Sequence, residues 1–334
     1  MENPKSKIEN QKIRAALARW FRAHGRDLPW RRTHDPYAIM VSEFMLQQTQ
    51  VATVRDFYAR WLVRFPDFAT LAAASEAAVL HVWQGLGYYS RARNLHRAAQ
   101  LIVAQHGGVV PRDLAAIAAL PGVGRYTAGA IASFAFDRAT PIIDANIARV
   151  LARLLDLREP IDTACGSAIL WQTAEALLPQ HRGRLHNSAL MELGALVCTP
   201  RAPQCPRCPV RAQCRATEPA ALPHKRPRRK TVALAEDCAW IVREGHLLLA
   251  QQTGPRWRGL WKLPALTSAP RAAELLLALA YPFTHHRVTL SVFTAAAPRE
   301  IVPHHRWVAL AEIETIALAA PHKRAILRLA AAGK

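Results

Sequence analysis

From residue 11 to about 216, apolar and polar positions recur at helical spacing and are broken repeatedly by proline and glycine. That pattern predicts a succession of amphipathic α-helices. Alanine-rich stretches such as Ala72–Ala74 and Ala115–Ala119 favour the same state. Asp35-Pro36 reads as a helix start, with Asp35 as N-cap and Pro36 at the first helical position. A further helix is expected from about Leu114 to Ala119, stopping at Pro121-Gly122, and another after Gly124. Over 217–231 the periodicity is lost. Pro219, Pro223 and Pro227 punctuate the basic run His224–Lys230, so an extended linker is expected, either a plain spacer or a segment passing close to phosphates. After Thr231 the texture turns to β. Cys238–Val242 and His246–Gln251 flank Arg243-Glu244-Gly245 as a hairpin, and Val288–Ala295 is a second β-rich run. The expected fold class is multidomain: a mainly α region (1–216), a linker (217–231) and an α/β domain (232–334).

Composition sharpens this picture. The 44 basic residues exceed the 24 acidic ones, giving a net charge of +20. A charge that large implies a polyanion such as a phosphate backbone; a basic surface kept for solubility is the plainer alternative. No apolar run approaches the ~18 residues that suggest a membrane span, so no membrane partner is expected. Met1–Asn10 is polar and lacks a signal-peptide core, so a soluble, cytoplasmic protein is expected; nucleoid association and a monomeric state are expected alongside, on grounds other than that segment. Cys198, Cys205, Cys208 and Cys214 fall within 17 residues. One short loop can wrap them around a [4Fe–4S] cluster. A zinc site or disulfides stay open, although only Cys205 and Cys208 have the close spacing usual for zinc. Arg201, Arg207, Arg211 and Arg215 make the loop cationic. Cys165 and Cys238 stand apart as ordinary thiols.

Three motifs bear on chemistry. Leu120-Pro121-Gly122-Val123-Gly124 lies between two helices, and its glycines permit the positive φ of a tight hairpin. The backbone N–H groups of Gly122, Val123 and Gly124 would meet a phosphate at the following helix N-terminus, although an ordinary Pro-Gly turn reads the same way. Asp144 opens a helix after an apolar pair and is either its cap or an active carboxylate. Glu43 lies inside Ile39–Leu46, which is apolar on most sides. A carboxyl there must be paired or have its pKa raised enough to hold a proton near neutrality. The second state is that of a general acid. Gln47-Gln48-Thr49-Gln50 follows as a polar cluster suited to base edges or to a solvated helix end.

Val41–Val51, Leu120–Ala128, Ile143–Asn146 and the four-cysteine loop together resemble the MutY family of adenine DNA glycosylases, closely through the helical region and linker and more loosely beyond. The resemblance implies a helix-hairpin-helix glycosylase with a [4Fe–4S] cluster on the four cysteines. It implies base-excision repair of double-stranded DNA containing A·8-oxoguanine or A·G mispairs, by hydrolysis of the adenine N-glycosidic bond. In those terms Glu43 protonates N7 of the flipped adenine and Asp144 stabilises the oxocarbenium-like sugar, supported by Tyr126 and Asn146. Related lyases carry a lysine at the position of Tyr126; a phenol forms no Schiff base, so a monofunctional enzyme leaving an abasic site is expected. The resemblance places Leu28, Trp30 and Arg31 in the adenine-pocket wall, and Gln48, Thr49, Leu86 and Tyr88 toward the opposite base. Ser188 departs from the Glu or Gln of the family at an adenine contact, and Ala148 departs from a lysine.

The same likeness implies a Nudix-like (MutT-like) fold over 232–334, including Gly259–Pro264. The stretch after Pro264, Ser268–Leu275, contains Glu274 as its only acid, so no metal-holding hydrolase box is expected. Phe283-Thr284-His285 resembles a Phe-Ser-His loop that reports on 8-oxoguanine, with Thr for Ser. The rival readings are an endonuclease III-like glycosylase/lyase and a non-catalytic DNA-binding or redox-sensing protein. Tyr126 opposes the first, and intact Glu43 and Asp144 oppose the second.

Overall fold

The computed structural model describes residues 4–227, 230–267 and 273–334. It divides into two compact units, Met1–Ala72 with Arg97–Pro227 and Ala73–His96 with Arg228–Lys334.

The first unit is helical. Its Pro36–Leu46 helix starts as expected, the Asp35 carboxylate accepting from the N–H groups of Tyr37 (3.0 Å) and Ala38 (3.3 Å). Every residue from Tyr37 to Met45 is buried, which is the signature of a helix apolar all round and packed on all sides. It lies against the Arg125–Phe136 helix. The expected 114–119 helix spans Leu114–Ala118, capped by Asp113. Ala145–Leu155 and Gly183–Leu196 pack together, and Ile147, Leu151, Leu190 and Leu193 are central to their shared core. Each such side chain contributes about 1.5–3 kcal/mol by leaving water.

The first half of the linker is less free than its composition suggests. Pro219–Ala221 forms a 3-10 turn, the His224 carbonyl accepts from Ile161 N–H, and Arg226 N–H donates to Asp162. Arg228 and Arg229 lie outside the described residues.

Among its described residues the second unit carries seven strands: β1 Val232–Trp240, β2 Val242–Arg243, β3 His246–Gln251, β4 Trp261–Lys262, β5 Leu275–Phe283, β6 His286–Thr294 and β7 His305–Ala309. One sheet has the order β1-β6-β5, with β1 parallel and β5 antiparallel to β6. In the other, β3 pairs antiparallel with β2, β4 and β7. Leu247, Leu249, Val288, Leu290 and Val308 form the core with Ala325, Ile326 and Leu329 of the Ala320–Ala331 helix. The α/β reading holds. The expected hairpin forms only between β2 and β3, because Cys238–Trp240 belong to β1 and pair with β6. That parallel pairing joins strands about fifty residues apart and leaves no local trace. The acid-poor stretch falls mainly on residues 268–272, outside the described residues.

Candidate functional site

Two carboxyl groups meet around one phenol in the helical unit. Glu43, 3% exposed, sits on the all-buried Pro36–Leu46 helix, and its Oε2 is buried without a hydrogen-bond partner. Tyr126, the second residue of the Arg125–Phe136 helix, brings its hydroxyl to the Glu43 carboxyl. Burial raises the Glu43 carboxyl to about 7; the Tyr126 hydrogen bond opposes this and the Asp144 charge adds to it. Among the described residues no backbone group satisfies Glu43 Oε2. Asp144 does cap the Ala145–Leu155 helix, accepting from Ile147 N–H (2.7 Å) and from the Asn146 amide (2.8 Å). Burial moves its carboxyl upward, while those two donors and Arg149 pull it down. Arg149 in turn donates to Asn146 Oδ1 (2.9 Å), fixing which way the amide points.

Glu43 opens onto a cavity of about 40 Å³ lined by Trp30, Arg31, Leu46, Phe134, Arg184 and Ser188 among others. Trp30 is held edge-on to Tyr58, with ring centroids 5.4 Å apart. Leu28, by contrast, does not line it; it is buried and precedes the Pro29–Arg31 turn. A cavity of this size takes about a water or two, so a purine requires its side chains to part. Gln48 is exposed, with φ 56°, just past the helix, and Thr49 is half-buried beside it, its hydroxyl donating to the Gln47 carbonyl at 3.4 Å.

The Leu120–Gly124 hairpin needs one correction. Gly122 has φ 76°, but Gly124 is extended at φ −91°. Val123 is buried and anchors the turn, while both glycines are exposed. A Cβ on Gly124 would point into open space, so nothing inside the protein requires glycine there. Its bare backbone leaves the helix N-terminus open to an anion.

Residues 41–165 match the HhH-GPD superfamily of base excision DNA repair proteins. The adenine DNA glycosylase of Rattus norvegicus is 47% identical over 213 residues, covering 61% of this chain and 41% of its own. That of Mycolicibacterium smegmatis is 42% identical over 200 residues, covering 60% of this chain and 67% of its own. The chain belongs to the adenine DNA glycosylase family. It spans about two-fifths of the rodent and human relatives it matches. A solved thermostable thymine-DNA glycosylase is 30% identical, with a TM-score of 0.59 over 63% of this chain and 97% of that one.

The cysteine loop of this family member is held by two arginines of the Ala145–Leu155 helix. Arg149 donates to the Cys198 carbonyl (2.7 Å). Arg153, 1% exposed, donates to the carbonyls of Cys198, Thr199 and Pro200 and to Cys198 Sγ (3.2 Å). Burial pushes the Cys208 thiol up to about 11, and Cys198, Cys214 and Cys205 beside it add to this. The four thiols lie near enough to feel one another's charge, a soft all-sulfur donor set of the kind that both zinc and iron–sulfur clusters take.

In the second unit a cavity of about 460 Å³ brings together Tyr88, Arg256, Trp257, Phe283 and Thr284. Tyr88 is half-exposed at φ 47°, with the Arg91 guanidinium over its ring. Leu86 is buried, its carbonyl accepting from Arg91; neither it nor His285 lines this cavity.

Sequence reasoning overlooked Glu192 and Arg184. Glu192 is fully buried and bonds to Arg26 Nε (2.7 Å) and Arg31 Nη2 (2.8 Å). Burial alone would raise its carboxyl; the two arginines hold it down at about 2. It thereby fixes Arg31 at the cavity wall. Arg184 ties the same wall by donating to the Arg31, Thr33 and Phe134 carbonyls. An acid inside Ala189–Leu196 is the same signal that exposed Glu43.

Proposed function

We propose that this chain excises adenine from A·8-oxoguanine and A·G mispairs in double-stranded DNA, as a monofunctional glycosylase. The observation that carries this is the Glu43–Tyr126–Asp144 group: a buried, half-unpartnered carboxyl near pKa 7 beside a capped carboxylate, opening on a cavity lined by Trp30. Adenine leaves the stack and enters that cavity as Arg31, Leu46 and their neighbours give way. Glu43 gives its proton to N7, so the C1′–N9 bond breaks with its electron pair kept by a neutral purine. Asp144 faces the positive charge left on the sugar, its direction set by Asn146 and Ile147 N–H. Water adds at C1′ and its proton passes to a carboxylate, leaving an abasic site. Tyr126 offers no amine for strand cleavage.

The four cysteines hold a [4Fe–4S] cluster, which supplies a rigid, charged former for the arginine-rich loop and takes no part in the steps above. Gly122, Val123 and Gly124 hold a phosphate. The α/β unit, Nudix-like in reading, recognises the opposite base through Tyr88 and Thr284; in the helical unit, Gln48 and Thr49 are the residues offered to the duplex.

The test is single-turnover excision on A·8-oxoguanine, A·G and A·T duplexes, scored before and after alkali. Release from the mispairs with breaks only after alkali is expected. Breaks without alkali would make it a lyase, and tight binding without release would make it a recognition protein.

A further inference from the structure

The α/β unit contains a buried ionic knot that adenine chemistry does not use. Glu236 on β1 accepts from Lys262 Nζ (2.9 Å) and from the Tyr281 hydroxyl (2.6 Å). Arg256 donates to the Tyr281 oxygen, and its Nη2 lies 3.5 Å from Glu236 Oε2. With its plane so fixed, the guanidinium rests over the rings of Trp257 (4.0 Å to the centroid) and Phe283 (4.3 Å). Both rings adjoin unfavourable backbone. Trp257 itself has φ 60°, and Thr284, next to Phe283, has φ 52°. Phe283 pairs with His286, so Thr284 is the first central residue of a two-residue hairpin, where positive φ favours glycine. A β-branched residue there persists only if its surroundings over-determine it.

Glu236, Cys238 and His322 also bring three ligand atoms within 4.8 Å. A metal ion there would meet the Lys262 and Arg256 cations already neutralising the one carboxylate, so the group is a closed ion cluster.

We propose that Glu236, acting through Tyr281 and Arg256, is the positioning residue that holds the Phe283–His286 turn and so sets the preference for 8-oxoguanine over guanine opposite adenine. This rests on the lesion-reading role given to that turn above. Arg256 is partly exposed, so Arg256→Met keeps bulk and removes the clamp; Tyr281→Phe removes only the relay oxygen. Two readouts are made on the full chain: amide hydrogen exchange of residues 283–286 in the free protein, and the ratio of Kd values for A·G and A·8-oxoguanine duplexes.

The expected result for Arg256→Met is faster exchange confined to the turn, with the Kd ratio falling roughly tenfold through loss of the cation–π contacts. Tyr281→Phe moves both readouts the same way by less. Unchanged exchange overturns the proposal whatever the DNA result. Faster exchange with an unchanged ratio overturns the specificity role. If Thr284→Ala also leaves that ratio unchanged, the lesion-reading role of the turn falls with it; if Thr284→Ala lowers it, only the anchor is wrong.

Discussion

Glu43 and Glu236 are the same side chain, both largely withdrawn from water and both hydrogen-bonded by a tyrosine, one in each unit. Their chemistry is nevertheless opposite. Around Glu43 burial dominates, the one opposing influence among the described residues is the Tyr126 phenol, Asp144 adds negative charge, and the carboxyl rises to about 7. Around Glu236, burial is outweighed by His322, Tyr281 and Lys262, and the carboxyl falls well below the ordinary range. Burial sets how strongly a neighbour is felt; the neighbours decide the sign. A carboxyl left short of cations stores a proton for use, whereas one supplied with them becomes a fixed charge that orients other groups. Glu192, between Arg26 and Arg31, is of the second kind although it sits in the unit of the first.

The hardest test of this contrast is loss of chemistry without loss of binding. Glu43→Gln and Asp144→Asn should each lower single-turnover excision by about a thousandfold or more, with the mispair Kd nearly unchanged. Affinity falling in step with rate would return both residues to structural roles. Stability offers a test with opposite signs. Glu43 binds its proton more tightly folded than unfolded, so wild-type stability falls as pH rises from about 4.5 to about 7. Glu43→Gln escapes that loss and should be more stable than wild type at pH 8 by up to about 3 kcal/mol, an advantage that shrinks toward pH 4. Glu236→Gln strands Lys262 and Arg256 and should destabilise by about 3 kcal/mol at pH 8. Denaturant midpoints at the two pH values decide both.

How legible these sites were depended on distance along the chain. Glu43 betrayed itself as an acid inside an apolar helix, and Asp144 as an acid opening one, because both signals lie within a turn or two of sequence. The Glu192 pairing with Arg26 spans 166 positions, so the acid was visible but its partner was not. Glu236 lies on a strand whose neighbour is fixed by parallel pairing with β6, and its partners come from β4, β5 and the loop of Arg256. Nothing near Glu236 in sequence announces a knot. The helical elements followed from caps and periodicity, but the sheet order required contacts that local pattern does not encode.

Finer tests use pH. The proton that Glu43 holds in the free protein should appear in kcat/KM, which falls about tenfold per unit as pH rises beyond about 7. An acid limb should lie above the usual carboxylate range, because burial moves Asp144 upward. The smallest effect separates the phenol from the carboxyl it serves. The Tyr126 hydrogen bond favours the ionised Glu43, so removing it must raise the Glu43 pKa. Tyr126→Phe should therefore shift the alkaline limb to higher pH by less than about one unit, the worth of a single neutral hydrogen bond. The variant loses rate at pH 6 yet retains a larger fraction of its own maximum at pH 8 than wild type does. A shift to lower pH would mean that Tyr126 stabilises the protonated acid, and the stored proton would then owe its existence to the phenol instead of to the missing cation.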